Sequence, residues 1–429
     1  MNKIEYPRLG ESIYKTVLAN GLTVEVVPRP GFTKKLVYFA TDFGSIHTDF
    51  ELDGKEYHVP AGIAHFLEHK LFDMPGGRDV SAELASLGAG VNAFTSFDMT
   101  AYFVGCTENF EQCLKMLMEF VSTPYFTEES VQKEMGIIDQ EIGMNLDAPD
   151  SVVFEDLLGK MLTRHPMRVP ILGTSETIRE ITPEILHTVH RAFYTPGNMM
   201  LCVVGDVDPD RVAAIAEEIL GTEPRSVGRK IRDWDEEMTV PTALSRRSMA
   251  VSMPTFQLGF KCEDAGWGRE SVRKEIVGDL AAEALFGESS PLFLKLYEEG
   301  LIDSSFGGGF ETSEGISMLT CGGDSDDPEA VRDAILAEAA KLAVSGVDEA
   351  AFLRMKRSAL GRRIRNLDSF DGTCFRVCAN HMSKFEYFDF PGVYEEVTAE
   401  ELREFLGRVI VPARMSLSII EPNGEDAEA

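Results

Sequence analysis

Two spacings of apolar residues divide this chain into helices and strands. Val131, Met135, Ile138 and Ile142 recur at helical spacing within an otherwise polar and acidic stretch from Glu128 to Met144, which predicts a helix with one apolar face. A second helix is predicted around residues 62–72, where Ile63, Phe66, Leu67, Leu71 and Phe72 leave little polar surface and point to burial. Strands read as short apolar runs closed by turn residues. Asn20-Gly21 makes a tight turn ahead of Leu22-Thr23-Val24, an apolar strand runs from Met199 to Gly205, and residues 304–310 and 316–322 read as a strand pair. Each half of the sequence opens with strands and then mixes long helices with strand pairs. That order predicts an α+β fold of two homologous domains, each a mostly antiparallel sheet with helices packed on one face.

The homology of the halves is visible in register. Thr182, Glu184, Leu186, Pro196, Met199 and Leu201 recur as Thr398, Glu400, Leu402, Pro412, Met415 and Leu417 at a constant offset of 216 (398 − 182). An offset of half the chain indicates duplication of a whole domain, since stacked short repeats recur at much smaller intervals. The stretch from 221 to 243 holds Pro224, Gly228, Pro241 and many charges, and reads as a linker. The expected division is therefore 1–220, a linker at 221–243, and 244–429.

Composition narrows the function classes. With 71 acidic against 41 basic residues, the formal charge of −30 argues against nucleic acid, whose phosphates need clustered Lys and Arg. No segment approaches the length of uninterrupted apolar residues that a membrane span needs, and Met1 to Pro28 lacks a basic start followed by a long apolar run. Seven cysteines form an odd set without ligand spacing; Cys374 and Cys378 lie one helical turn apart with no partner pair nearby. They are expected to be reduced thiols, and the chain to be cytoplasmic.

The chemistry is concentrated in His65-Phe66-Leu67-Glu68-His69. On a helix, positions i and i+4 share a face, so His65 and His69 can offer two imidazole nitrogens to one metal ion. Glu68 leans toward the same face, placed to take a proton from water activated there. This is the inverted H-x-x-E-H zinc motif. A catalytic zinc needs a third protein ligand and an open position. The acidic helix offers Glu134 and Glu141, seven residues apart and so on one face, roughly 10 Å apart along the axis. Only one of the two can be a direct ligand.

With these residues the chain resembles the pitrilysin/insulinase metallopeptidases, in their processing-peptidase-like branch. That family pairs H-x-x-E-H with a ligand Glu some seventy-odd residues later and a second functional Glu seven residues before it. Here Glu141 follows His69 by 72 residues (141 − 69), and Glu134 fills the earlier slot. The resemblance implies His65, His69 and Glu141 as the ligands of one Zn2+ per chain, Glu68 as general base and Glu134 as a supporting catalytic carboxylate. Asn92-Ala93-Phe94-Thr95 through Tyr102 is similar to the strand pair beside the metal in that family, which implies Asn92, Ala93 and Tyr102 as substrate-binding positions. A free strand edge suits that task because its N–H and C=O groups bind any extended peptide. Tyr194-Thr195-Pro196-Gly197-Asn198 ahead of its strand, and His69-Lys70-Leu71-Phe72 after the motif, are also family-like, the latter most like bacterial members.

The second half carries no such site, for no histidine occurs between His190 and His381. It also departs from the pattern L-R-E-x-x-G-L-x-Y that often supplies a substrate-holding Arg and Tyr. Residues 292–303 put Tyr297 or Leu296 in the Arg slot, depending on the anchoring, and Asp303 in the Tyr slot. The expectation is a zinc endopeptidase whose partner is a homologous subunit lacking the zinc motif, with a homodimer as the alternative. A non-catalytic scaffold subunit and a zinc hydrolase of a non-peptide substrate are the other functions to be distinguished. The remaining histidines, His47, His58, His165, His187, His190 and His381, read as surface or helix residues.

Overall fold

A computed structural model describes residues 1–423 of the chain. It forms two compact units, one made of residues 1–142, 170–232 and 363–389, the other of 143–169, 233–362 and the stretch from 390 onward. Where the sequence predicts two uninterrupted domains, each unit thus takes in a piece of the other half.

The first unit is built on a seven-stranded sheet in the spatial order Asn2–Tyr6, Glu11–Val17, Thr23–Pro28, Met199–Gly205, Lys35–Thr41, Thr100–Cys106, Gly90–Thr95. Only the pair Thr23–Pro28 with Met199–Gly205 is parallel. The second unit has a five-stranded sheet, Leu244–Met249, Met415–Pro422, Thr255–Cys262, Ile316–Asp324, Gly307–Ser313, with its first pair parallel and the rest antiparallel. This is the order and the single parallel pair of the last five strands of the first sheet, which adds Asn2–Tyr6 and Glu11–Val17 at one edge. The helices Pro183–Phe193 and Ala399–Val409 repeat the offset of 216 at both ends (399 − 183). A mostly antiparallel α+β unit, duplicated, is the architecture of this chain.

Strand alternation explains how each sheet is covered. Val24, Val26, Val37, Phe39, Leu201 and Val203 project to one face and join a core with Phe66, Leu67, Leu114 and Leu117 from helices. The intervening residues Glu25, Tyr38 and Cys202 project to the other face, and they too are buried. Their cover is the helix Phe370–Met382, drawn from the second half of the sequence; Tyr38 donates its hydroxyl proton to Asp371 at 2.7 Å. The second unit mirrors this arrangement. Its sheet is backed by Pro149–Met161 from the first half, with Val152 and Val153 packed on Ile420. Two-sided burial is why the central strands read as solid apolar runs.

Two devices set the helix carrying H-x-x-E-H, Ile63–Lys70. At its start Gly62 has φ +90°, and a Cβ there would lie 2.5 Å from the Leu172 carbonyl oxygen; Gly173, at φ +74°, comes equally close to the Ala61 carbonyl. Glycine is needed at both because the two chain segments touch backbone to backbone. At its end the buried Lys70 ammonium pairs with Asp73 and donates to the Ser130 carbonyl at 3.3 Å, tying the motif helix to the first turn of Glu128–Leu146. Among the described residues no helix is long and apolar enough to cross a membrane.

Candidate metal centre

The motif helix is buried almost all round, including His65 and Glu68, while the side chain of His69 keeps 28% of its exposure. Glu128–Leu146 buries Val131, Ile138 and Ile142, which turns Glu134 and Glu141 toward the motif. The result is one group of three candidate metal donors among the described residues, from His65, His69 and Glu141, all within 4.8 Å of one another. His65 Nε2 lies 3.6 Å from Glu141 Oε1, and His69 Nε2 lies 3.7 Å from Glu141 Oε2. Two ligands bound to one tetrahedral zinc stand ~3.4 Å apart, so these spacings fit a metal with slight contraction. Two neutral imidazoles and a carboxylate are also a donor set that zinc accepts, and the one-third exposure of Glu141 leaves a side open for a fourth partner.

Protonation agrees with that fit. Burial, with a smaller push from His69, lowers the His65 pKa to about 4, so its lone pair is free at neutral pH. His69 is raised, first by the hydrogen bond to Glu134, against burial. Its Nδ1–H donates to Glu134 Oε1 at 3.0 Å, which fixes the tautomer and leaves Nε2 facing Glu141. A carboxylate behind an imidazole orients it and makes it a stronger donor. Of the two acids that helical geometry left equivalent, Glu141 therefore stands with both ring nitrogens and Glu134 stands behind one of them.

Glu68 is also raised by burial, opposed by a hydrogen bond from Thr95. The Thr95 hydroxyl donates to Glu68 Oε2 at 2.6 Å. Thr95 is the last residue of Gly90–Thr95, the strand at the edge of the sheet. On the same strand Asn92 is exposed and Ala93 half-buried, with the Ala93 N–H turned to Asn92 Oδ1 at 2.9 Å. Tyr102, opposite Ala93 on the next strand, is wholly buried and shares a 3.1 Å hydrogen bond with the Tyr194 hydroxyl.

Reading residues one at a time misses several partners. Thr95, Thr100 and Tyr194 gather behind Glu68, and no spacing rule links them to it. His47 and His165, expected at the surface or on helices, are buried loop residues; His47 Nδ1 accepts from the Gly44 N–H at 2.9 Å and His165 Nε2 meets the Glu314 carbonyl at 2.7 Å. Cys374 and Cys378 do have a thiol neighbour, Cys202 on the strand their helix covers, and all seven cysteines are free and buried.

A family model described as insulinase (peptidase family M16) matches residues 55–175, and one described as the peptidase M16 inactive domain matches residues 180–359. The chain is 36% identical to an uncharacterised zinc protease, YmfH, of Bacillus subtilis over 98% of its own length and 99% of that protein's. It is 26% identical to the mitochondrial-processing peptidase subunit beta of Caenorhabditis elegans, covering 94% of this chain and 89% of that one. The crystal structure of an M16-like peptidase from Alicyclobacillus acidocaldarius superposes with a TM-score of 0.93 at 31% identity, over 98% of this chain and 100% of that one. A motif-bearing first half, a second half without the motif and whole-length likeness lead to one assignment: the chain belongs to the insulinase family of peptidases, peptidase family M16.

Proposed function

We propose that this chain is a zinc-dependent endopeptidase with its single metal held by His65, His69 and Glu141. The observation that carries the reading is the convergence of those three donors beside Glu68, from two helices whose nearest donors, His69 and Glu141, are 72 residues apart in sequence (141 − 69). A divalent metal bound there supplies Lewis acidity, acidifying water and polarising a carbonyl oxygen. Glu68, buried and held at Oε2, keeps Oε1 to take the proton of the attacking water and return it to the departing amine. Its raised pKa suits that exchange, since a base too acidic would not hold the proton. The free edge of Gly90–Thr95 would pair with an extended peptide through Asn92 and Ala93, and this favours peptide over a compact small molecule. Glu134 acts through His69 by orienting it.

The assembly is part of the proposal: a heterodimer in which a homologous subunit without the zinc motif supplies the substrate-holding Arg and Tyr. The Arg slot holds either Leu296, which is wholly buried, or Tyr297, which is exposed and stacked on Phe293 at 6.0 Å, depending on the anchoring. Neither offers a guanidinium. The nematode relative is itself described as a subunit.

Glu68→Gln tests the catalytic reading. It is expected to retain zinc and bind peptides while turnover of a mixed peptide library falls by on the order of 100-fold or more. His65→Ala and Glu141→Ala are expected to fail earlier, at zinc retention measured by elemental analysis. Chelator-insensitive cleavage, or normal cleavage by Glu68→Gln, would overturn it.

A further inference from the structure

We infer that Thr95 is a positioning residue for Glu68, fastening the base to the strand on which substrate docks; this rests on the general-base role proposed above. Glu68 follows two apolar positions on a short helix and has no covalent reason to hold one rotamer. Its surroundings supply the reason. The Thr95 hydroxyl has a single proton and spends it on Glu68 Oε2 at 2.6 Å, a length typical of a hydroxyl bonded to a charged acceptor. With Oε2 occupied, the remaining oxygen is the one free to face His69 and Glu141, both of which act electrostatically on Glu68.

Thr95 is itself held by the strand pairing of the hairpin. It pairs with Thr100 across the end of the hairpin, with the two hydroxyl oxygens 3.5 Å apart. Thr100 donates its proton to the Phe43 carbonyl at 2.9 Å, so its oxygen is left as an acceptor. Tyr194, also buried, shares a 3.1 Å hydrogen bond with the Tyr102 hydroxyl. The hydroxyls of Thr95 and Thr100 thus lie on the side of Glu68 Oε2.

The second element is the strand. Thr95 ends Gly90–Thr95, and Asn92 and Ala93 lie three and two residues earlier on the same edge. A peptide pairing with that edge therefore registers against the same backbone that fixes the base. Misplacement of a catalytic group by about 1 Å costs up to roughly 100-fold, so a single hydroxyl in this position has large leverage.

Thr95→Val removes the hydroxyl at nearly constant shape, and Thr95→Ser and Thr95→Ala differ from each other by the hydroxyl. For Val and Ala we expect one zinc per chain, a KM within about twofold of the unmodified chain and a kcat lower by on the order of 10- to 100-fold, with Ser within about threefold of normal. The split matters because a packing defect would lower Ser with Ala and would release metal. Equal loss in Ser and Ala, loss of zinc in Ala, or undiminished kcat in Val or Ala would each overturn the inference. Should Val not fold, the Ser and Ala pair decides. Glu68→Gln measured alongside separates the two levels of argument: if it is inactive while Thr95→Ala is normal, only the positioning role falls, and if it cleaves normally, the base assignment falls with it.

Discussion

At the residue scale, the difference between Glu134 and Glu141 is a matter of which imidazole atom each faces. Glu141 lies opposite the Nε2 atoms of both rings, whereas Glu134 meets His69 Nδ1, on the far side of the ring from the metal position. Helical spacing placed both acids on one face and could not say more, because the distinction depends on how two helices are docked. Removing a carboxylate behind a ligating histidine leaves the ligand in place but less well oriented. Glu134→Gln is accordingly expected to weaken zinc binding by about 10- to 100-fold in a competition titration, with cleavage recovered at excess zinc. Unchanged affinity would show that the bond to His69 does nothing for the metal.

At the element scale, the motif helix depends on its entry. Gly62 combines a left-handed φ with backbone contact, so Gly62→Ala meets both strain and a clash with Leu172. Such a position costs about 1–3 kcal/mol for the backbone alone. Gly62→Ala is expected to lower the urea midpoint and the zinc content together, and full zinc content with an unchanged midpoint would contradict this account. In the second unit a comparable fastening is Glu236. Its carboxylate accepts from Lys261 at 2.7 Å and from the N–H groups of Thr163, Arg164 and His165 at 2.8, 2.6 and 2.9 Å. Burial opposes ionisation, but Lys261 and the three N–H groups outweigh it and bring the pKa from its ordinary 4.5 down to about 2. A depressed pKa means stability that is fully present above about pH 4.5 and lost as pH falls toward 2. Glu236→Gln should therefore lower the urea midpoint near neutral pH, and its deficit should shrink as pH is lowered from about 6 to about 3. A deficit independent of pH would remove the carboxylate charge from the explanation.

At the scale of the molecule, duplication and specialisation pull in different directions. The two sheets share one order of five strands, yet only the first unit has a donor cluster among the described residues. The second half has no Arg at Leu296 or Tyr297, the two positions the family pattern points to, and this underlies the partner proposed above. The purified chain alone is then expected to cleave peptides on the order of tenfold or more slowly than the chain combined with a homologue bearing L-R-E-x-x-G-L-x-Y. Equal rates without any second polypeptide would rule out that requirement.

Legibility in the sequence followed the range of the interaction. The helix bearing His65, Glu68 and His69, the acidic helix and its two carboxylates, the duplication at one offset and the alternation of helices with strand pairs are all set by residues a few positions apart, or by a repeat, so periodicity exposes them. Other features join residues with no local relation: the choice of Glu141 over Glu134 by geometry, the Thr95 hydroxyl on Glu68, burial of Tyr102 against Tyr194, and Cys202 beneath Cys374 and Cys378. The exchange of Pro149–Met161 and Phe370–Met382 between sheets belongs with them, since a helix's apolar face states that it must be buried but not on which sheet. The sequence by itself determined which elements form and which side chains could do chemistry; the tertiary structure decided which of them meet, because contact between distant segments depends on docking angle and depth, and one-dimensional spacing carries neither.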